Sequence, residues 1–321
     1  PEMASSSVRL RTLPLRKAKF SSFKPLVILI AIISATYRLV FSSGVDPGAI
    51  RHRVRPFHEH PMTPNDIKHH IGMMEDTRPS FCPGLAETQK EEIEYDKVSI
   101  IMEYKNREFY DFKLALTALV TFTPDTQYKE IIVIDDGTKS YDIQAHTAEF
   151  FKDPKFSKVK VFRSENSEGQ SVSRFKGSKI AKGDYLVYIS NNVVVNQGWL
   201  FPLLKKLQEQ KNIVVVPHHD NFLEGHRFFS LDNGLINQPT WSLATVHMET
   251  STALKSDFIE TPVMRGDIFA LRRNFLMKLG DFDDNIQSGH NIEFSFRSWL
   301  CGGRIQIVMC SRVAVLSALR P

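Results

Sequence analysis

From residue 98 onward the sequence predicts an α/β domain built on a doubly wound, mostly parallel sheet with helices on both faces. Short, nearly continuous apolar runs alternate with segments whose apolar residues recur at helical spacing. Strands buried on both faces read as such continuous runs, and helices between them are typical of parallel sheets. Polar residues follow several of the runs, at the carboxyl ends of the strands, where such sheets bind their ligands.

The predicted strands and helices alternate along the chain. The first helix places Phe109, Phe112, Leu116, Leu119 and Val120 on one face, a spacing typical of an amphipathic helix. The predicted strands are 98–103, 129–136, 158–164, 184–190 and 212–217, and the predicted helices are 109–122, 141–153, 169–182 and 198–210.

The N-terminal part of the chain predicts a membrane anchor. Residues 1–24 hold six basic residues against one acidic residue and form a predicted cytoplasmic tail. Residues 20–41 are mostly apolar, with Lys24 and Arg38 as their charged residues near the ends, and about 20 such residues span a bilayer. A cleaved signal peptide is the alternative. With the basic flank cytoplasmic, residues 42–97 form a predicted stem and the remainder is luminal.

The distribution of charge argues against a nucleic-acid partner. The chain has a net charge of +5, and its first 24 residues account for all of it. The rest of the chain holds 35 basic and 35 acidic residues. Because nucleic-acid binding requires a basic patch on the folded domain, we expect none here.

Five segments resemble a known family in their order and spacing. They are KEIIVIDDGT, SEGQSVSRFKGSKIAKGDYLVYIS, GWLFPLL, TPVMRGDIFALRR and NIEFSFRSWLCGGRIQIVMCSRV. Over roughly residues 78–317 the chain resembles the polypeptide N-acetylgalactosaminyltransferases, Golgi type II membrane enzymes that transfer GalNAc from UDP-GalNAc to polypeptides. The resemblance implies the GT-A fold for residues 98–317. The family's C-terminal lectin domain is expected to be missing.

The resemblance places a metal site at three positions whose residues have changed. The family binds Mn²⁺ through an Asp-x-His after the fourth strand and a later His, and these positions are Ser190, Asn192 and Val315 here. The cation neutralises the charge that develops on the departing diphosphate, and carboxylate and imidazole suit it. Asn192 offers one neutral carbonyl oxygen and Val315 offers no ligand. We therefore expect no metal site and no cofactor.

The resemblance also places the donor pocket, which departs from the family pattern. Glu103 stands at a family Thr, Ser167 at a basic residue, and residues 287–291 read QSGHN where the family has Trp-Gly-Gly-Glu-Asn. The positions that the resemblance assigns to the nucleotide are Asp136, Gly169, Arg174, Gly266 and Arg265, and its catalytic-loop positions are His290, Asn291 and Glu293. No catalytic residue is assigned. For Asp136, a contact with uracil and a capping role remain equally open.

Two residues outside the family pattern leave an alternative open. Arg265 and His290 would together offer positive charge to a phosphate without a metal. Asp267 would equally neutralise Arg265 in a salt bridge. The alternative function is therefore a metal-independent transferase that moves GalNAc from UDP-GalNAc to Ser or Thr of polypeptides.

The resemblance implies one disulfide bond, between Cys82 and Cys310, since the family joins these two positions. Cys301 matches a family cysteine whose partner lies outside this sequence, so we expect a free thiol. A disulfide suits an oxidising, luminal compartment.

These expectations favour a catalytically degenerate GalNAc-transferase-like protein of the Golgi membrane. It is predicted to be a single-pass type II protein with a luminal domain. Its expected partners are proteins, either polypeptide acceptors or active transferases of the family, with UDP or UDP-GalNAc bound weakly at most.

Overall fold

A computed structural model describes the C-terminal three quarters of the chain with several gaps. The described residues are 71, 74–88, 92–105, 109–139, 148, 150–222, 228–229, 234–240, 245–250, 256–283, 285–286 and 288–316. The predicted tail, the predicted anchor and the first part of the predicted stem lie outside these residues. Among the described residues, no helix combines the length and the apolar character needed to cross a bilayer.

The described residues form twelve strands and six α-helices. The strands are β1 Val98–Tyr104, β2 Glu130–Asp135, β3 Val159–Arg163, β4 Tyr185–Ser190, β5 Val193–Val195, β6 Ile213–Phe222, β7 Phe228–Phe229, β8 Gly234–Pro239, β9 Thr245–Thr250, β10 Phe258–Glu260, β11 Ile268–Arg272 and β12 Arg304–Val315. The helices are α1 Leu85–Thr88, α2 Phe109–Phe122, α3 Gln170–Ile180, α4 Leu200–Glu209, α5 Arg273–Leu279 and α6 His290–Leu300.

One mixed sheet organises the domain. Its strand order is β10-β12-β6-β11-β4-β1-β2-β3, with β5 paired to β12 and β7 paired to β6. The ladders β1–β2, β1–β4, β2–β3 and β6–β12 are parallel, whereas β11 runs antiparallel to both β4 and β6. The predicted α/β class is confirmed, but the sheet is mixed rather than mostly parallel, because β5 and β10 also pair antiparallel with β12 and β7 pairs antiparallel with β6.

Helices cover both faces of the sheet. On one face, α2 and α4 pack against the strands and bury Phe112, Leu116, Leu203 and Leu207. On the other face, α5 and α6 contribute the buried ring of Phe294 and its neighbours. In α4 the buried leucines recur at three- and four-residue spacing, which is why this segment forms an amphipathic helix against the sheet.

A disulfide bond joins the segment before β1 to the last strand. Cys82 and Cys310 are bonded across a sequence separation of 228 residues, so the expected disulfide is confirmed, and among the described residues Cys301 forms no disulfide. The same segment buries Ile71 and Met74 against the domain. Part of the range predicted as stem is therefore folded against the sheet.

Two predicted elements differ in the structure. Of the helix predicted at 141–153, only residues 148 and 150–153 are described, and Phe150–Lys152 forms a 3-10 turn instead of an α-helix. The side chain of Asp153 accepts a hydrogen bond from the backbone N–H of Lys155, and Pro154 begins a second 3-10 turn just after the predicted end. Strand β6, predicted to end at residue 217, continues to residue 222.

Candidate functional site

The candidate site lies where the chain order of the sheet reverses. β2 and β3 follow β1 on one side and β4 lies on its other side, so the carboxyl ends of β1 and β4 border a crevice. Glu103 of β1 lies opposite Ser190 of β4, and Tyr104 lies opposite Asp135 of β2. The sheet therefore brings polar side chains from three strand ends to one edge.

The three positions expected for metal ligands converge at this edge. β5 pairs with the end of β12, which places Val315 opposite Val193. The backbone N–H of Leu316 donates to the carbonyl oxygen of Asn192 at 2.9 Å. Ser190 ends β4 immediately before the same turn. The three positions thus lie together at one edge of the sheet.

The side chains at these positions do not fit a divalent cation. The hydroxyl of Ser190, the amide of Asn192 and the isopropyl group of Val315 bring no charge, whereas Mn²⁺ favours carboxylate and imidazole ligands. In the part of the chain that the structure describes, no group of three or more His, Cys, Asp or Glu residues is placed to hold a metal ion. The lack of a metal cofactor remains a prediction for direct titration.

Arg174 of α3 is the centre of a buried hydrogen-bond network in the crevice. Its side chain is 1% exposed, and its Nε donates to the carboxylate of Glu103. Nη1 donates to Oδ1 of Asn291 at 2.9 Å, and Nη2 donates to the carbonyl oxygen of Gly266 at 2.7 Å. The guanidinium carbon also lies 5.1 Å from the ring centroid of Phe269. Each guanidinium nitrogen therefore donates to a group of the protein itself.

Gln170 links Glu103 to His290 across the crevice. Its amide nitrogen donates to the Glu103 carboxylate, and its carbonyl oxygen lies 2.7 Å from Nε2 of His290. Because a carbonyl oxygen only accepts, Nε2 carries the proton and the lone pair of the neutral ring is on Nδ1. Burial, and after it the charge of Arg174, lowers the pKa of His290 from 6.5 to about 4. His290 is therefore neutral at pH 7.

Burial also acts on the carboxylate of this network. It raises the pKa of Glu103 above its ordinary value, although Arg174 and Gln170 offset part of the effect. The ion pair with Arg174 and the amide of Gln170 are thus the groups that compensate the burial of the Glu103 charge.

The carboxylate of Asp136 holds the loop that begins α3. It accepts hydrogen bonds from the backbone N–H of Glu168 at 2.6 Å and of Gly169 at 3.1 Å, and from the hydroxyl of Ser167 at 3.0 Å. Lys105 lies 3.3 Å away as an ion-pair partner. The carboxylate therefore orders the loop that precedes α3, and the choice between a contact with uracil and a cap on the segment after Asp136 stays a prediction.

Gly266 allows β11 to approach α6 closely. Its φ of +85° is in the left-handed region, and a Cβ atom there would overlap the side-chain amide of Asn291. Asn291 in turn holds Arg174 through Oδ1 and reaches the carbonyl oxygen of Arg265 through Nδ2 at 3.4 Å. The glycine is therefore explained by packing inside the protein.

The two residues proposed to offer positive charge to a phosphate are both neutralised. Nε of Arg265 lies 2.9 Å from Oδ2 of Asp267, so the salt bridge that the sequence left open is formed. The carbonyl oxygen of Asp267 also accepts from the backbone N–H of Ser190 at 2.8 Å. His290 is neutral, and the charge of Arg265 is offset by its pairing with Asp267.

Glu293, one of the catalytic-loop positions, makes a structural ion pair. Its carboxylate binds Arg297 one helical turn later, with nitrogen–oxygen distances of 2.7 and 2.8 Å. Arg297 also donates to the carbonyl oxygen of Leu279 at 2.8 Å, so the pair ties α6 to the end of α5. Gln287 of the same loop lies outside the described residues, and Gly289 begins α6 as its N-cap.

A second buried ion pair near this edge was not predicted. Arg312 of β12 binds Asp220 of β6, and both side chains are at most 1% exposed. Thr77, from the segment before β1, donates to the same carboxylate. The signal in the sequence is a charge at the end of each apolar strand, but only the parallel pairing of β6 with β12 shows that the charges meet.

Comparison with known proteins gives a consistent result. The family model described as Glycosyl transferase family 2 matches residues 99–280. The "Inactive polypeptide N-acetylgalactosaminyltransferase-like protein 5" of Mus musculus is 31% identical over 224 residues, which are 67% of this chain and 52% of that protein. The "Polypeptide N-acetylgalactosaminyltransferase 5" of Rattus norvegicus is 30% identical over 251 residues, 75% of this chain and 26% of that protein. The chain thus spans about a quarter to a half of these relatives.

A solved structure shows the same fold. The structure described as "Crystal structure of GalNAc-T7 with UDP, GalNAc and Mn2+" matches with a TM-score of 0.65 and 24% sequence identity. The match covers 77% of this chain and 49% of that chain. The predicted GT-A-like α/β fold is thereby confirmed.

Proposed function

Because this chain belongs to glycosyl transferase family 2, with the polypeptide N-acetylgalactosaminyltransferases as its relatives, we propose that it is a catalytically degenerate member that acts by binding proteins. The observation that carries the proposal is the occupation of the crevice by the protein's own side chains. Glu103, Gln170 and His290 bridge it, and Arg174 is fully engaged beneath them.

Loss of the charge at the metal positions supports the same proposal. Transfer of a sugar from UDP leaves negative charge on the diphosphate, and the positions that would hold a cation bring neutral groups to this edge. A buried network that satisfies its own donors and acceptors loses those bonds when a ligand enters. A nucleotide must therefore replace hydrogen bonds that the protein already makes.

The metal-independent transferase is less well supported. It requires Arg265 and His290 to face a phosphate with positive charge. Arg265 is instead paired with Asp267, and the lowered pKa of His290 keeps that ring neutral. Both features weaken the electrostatic term on which such a mechanism depends.

We propose a luminal location for the folded domain, with residues 20–41 as its anchor in the Golgi membrane. The disulfide between Cys82 and Cys310 supports an oxidising compartment. The proposed partners are polypeptide acceptors or active transferases, which a degenerate member still contacts through its protein surface. Protease protection of sealed microsomes tests the orientation, and digestion of the C-terminal domain in intact vesicles would contradict it.

Nucleotide binding decides the central proposal. The full chain is titrated with UDP and UDP-GalNAc, with and without Mn²⁺, while its unfolding temperature is followed beside that of an active family enzyme. We expect a shift for the active enzyme and none for this chain. A ligand at 100 times its Kd adds about 2.7 kcal/mol of stability, so binding is readily seen.

The control for this titration is Asn192→Ala. A Mn²⁺-dependent shift that disappears in Asn192→Ala would place a functional donor site at the crevice and overturn the proposal. A Mn²⁺-dependent shift that the variant retains comes from a site that does not use the Asn192 side chain, whereas a UDP-induced shift without Mn²⁺ would favour the metal-independent alternative. Transfer of GalNAc to a Thr-rich peptide by the unmodified chain would refute the degenerate assignment directly.

A further inference from the structure

The segment before β1 follows one side of β12 toward the crevice. Cys310, Arg312 and Ala314 are alternate residues of β12, so their side chains project from the same side of the strand. A strap, which consists of Ile71 and residues 74–83, meets these three positions in the reverse of their order along β12. The strap therefore runs in the direction opposite to β12 and leads from the disulfide bond to the edge of the crevice.

Two of the three contacts are covalent or polar. Cys82, near the C-terminal end of the strap, is joined to Cys310 by the disulfide bond. In the middle of the strap, the hydroxyl of Thr77 donates to the carboxylate of Asp220 at 2.5 Å. Asp220 is also the buried ion-pair partner of Arg312, so the strap is connected to the charged pair between β6 and β12.

The third contact is apolar and lies beside the edge of the crevice. Ile71 and Met74 are buried in one cluster with Val194 and Ala314. Ala314 lies opposite Val194 in the β5–β12 ladder, one residue before Val315, the position expected for a metal ligand. The strap therefore supports the backbone that forms this edge of the crevice.

The strap depends on its covalent end. Every residue from 75 to 83 is exposed or half-buried. Asp76 and Arg78 pair with each other inside the strap, and the side-chain amide of Asn196 donates to the carbonyl oxygen of Glu75 at 2.8 Å. Because each ordered backbone residue costs conformational entropy, these contacts and the apolar end hold an exposed segment only weakly once the disulfide bond is open.

The disulfide bond is accessible from the side of the strap. Phe81 is 44% exposed and Cys82 is half-buried, whereas Cys310 is 5% exposed. One thiolate of a dithiol therefore attacks the sulfur of Cys82, forms a mixed disulfide with it and releases the thiolate of Cys310. The second thiolate of the reagent attacks the first reagent sulfur and releases Cys82. The reagent leaves as an intramolecular disulfide, two electrons pass to the protein, and both cysteines take up protons from solvent.

We propose that the strap makes the edge of the crevice sensitive to redox conditions. When a dithiol opens the bond between Cys82 and Cys310, the strap leaves β12, and the β5–β12 ladder loses the support of Ile71 and Met74. The turn between β4 and β5 then opens more often. This inference goes beyond the proposed function, because it concerns the order of the crevice edge and not what binds there.

Hydrogen exchange of the full chain in mild detergent, before and after treatment with dithiothreitol, tests the proposal. Alkylation and mass spectrometry measure how much of Cys82 and Cys310 is reduced in the folded protein. We expect amide exchange to rise about tenfold or more in residues 74–83 and at the backbone N–H of Leu316, which donates to Asn192 at the crevice edge. Exchange in β3, at the opposite edge of the sheet, should stay the same.

Two serine variants separate the strap from other thiol effects. Cys82→Ser cannot form the bond, so it should exchange like the reduced chain with and without dithiothreitol. The matched control is Cys301→Ser, which should keep the full response, because among the described residues Cys301 forms no disulfide. Thr77→Val removes the polar contact alone and should raise exchange in the strap less than reduction does.

Each outcome decides the proposal. Faster exchange confined to the strap and the crevice edge, in the reduced chain or in Cys82→Ser, supports it. Reduction of the bond without faster exchange at these places overturns it, since the other contacts then hold the strap. An equal rise in β3 also overturns it, because the bond would then stabilise the whole fold. So does a bond that dithiothreitol does not open in the folded chain.

Discussion

The carboxylate of Glu103 and the guanidinium of Arg174 form a buried ion pair between the end of β1 and the middle of α3, with side chains 10% and 1% exposed. Removal of two charges from water is costly, and such pairs persist only when further hydrogen bonds satisfy both partners. Gln170 supplies one to Glu103, and Asn291 accepts one from Arg174. The crevice is consequently a cooperative unit that joins β1, α3 and α6.

Substitution of Arg174 should destabilise the fold far more than substitution of its partner. Arg174→Met leaves the buried Glu103 carboxylate without its ion pair, and we expect a loss of about 3–5 kcal/mol in the free energy of unfolding. Glu103→Gln keeps a neutral oxygen that accepts from Arg174 and should cost less. Urea denaturation of the variants measures both values.

The control for this prediction lies on the same helix. Lys176 pairs with Glu168 at the surface, where both side chains are 41% exposed. Exposed pairs contribute about 0–1 kcal/mol, so Lys176→Met should change stability little. Equal losses in Arg174→Met and Lys176→Met would show that the buried network does not stabilise the crevice.

His290 should make stability depend on pH below neutrality. Its pKa is about 4 in the folded protein against an ordinary value of 6.5. The unfolded chain therefore binds a proton first as the pH falls, so the contribution is complete above pH 6.5 and is lost toward pH 4. After allowance for the partial exposure of the ring, we expect the free energy of unfolding to fall by about 1–2 kcal/mol across this pH range.

A variant isolates this contribution from other titrating groups. The raised pKa of Glu103 acts in the opposite direction, because its folded form holds a proton to higher pH and loses stability as the pH rises. His290→Gln retains Glu103, so the difference between the two stability curves reports the histidine. If that difference stays constant from pH 7 to pH 4, the histidine does not titrate as expected.

Two glycines with similar backbone geometry allow the cost of backbone strain to be measured apart from the cost of disturbed packing. Gly266 has φ +85° and lies against Asn291, whereas Gly289 has φ +76° with no atom within 4 Å of an added Cβ. The substitution Gly289→Ala should lower the free energy of unfolding by about 1–2 kcal/mol through backbone strain alone. Alanine at Gly266 should cost at least about 3 kcal/mol, since the amide it displaces also holds Arg174. Chemical denaturation compares the two, and equal losses would contradict the packing role.

Local patterns in the sequence predicted β1 to β4, β6 and the helices α2, α3 and α4, but not the remaining elements or the direction of every strand. The apolar runs located β1 to β4 and β6, because burial on both faces leaves a continuous apolar run whatever the neighbours are. The run at Ile268–Arg272 has the same character, yet β11 is antiparallel, since burial does not encode strand direction. The disulfide partners came from resemblance to a family, and no local pattern contains them.

The chemistry of the crevice was predictable only in part. The loss of charge at Ser190, Asn192 and Val315 is visible in the sequence once the family pattern is recognised. The ion pair between Glu103 and Arg174 is not visible in the sequence, because the two residues are 71 positions apart and meet only when α3 packs on β1. The sequence therefore shows which positions are substituted, whereas the structure is needed to show which residues the new side chains contact.

Repair of the metal positions alone should not restore transfer of GalNAc. In the variant carrying Ser190→Asp, Asn192→His and Val315→His, the turn after β4 and the end of β12 already lie together, so we expect Mn²⁺ to bind. A bound cation supplies only the charge term of catalysis. Calorimetric titration of the variant measures the first outcome, and transfer to a Thr-rich peptide measures the second.

The reason lies in the groups that remain beside the repaired site. Gln170 still bridges Glu103 and His290, and the Arg265–Asp267 pair still borders the crevice. A misplacement of the reacting groups by 1 Å costs on the order of 10²-fold in rate, so the repaired protein should stay near background. The added change Glu103→Thr removes the anchor of the bridge and should raise UDP binding above that of the triple variant. Transfer by the triple variant well above the parent chain would show that the crevice network is no obstacle to the donor.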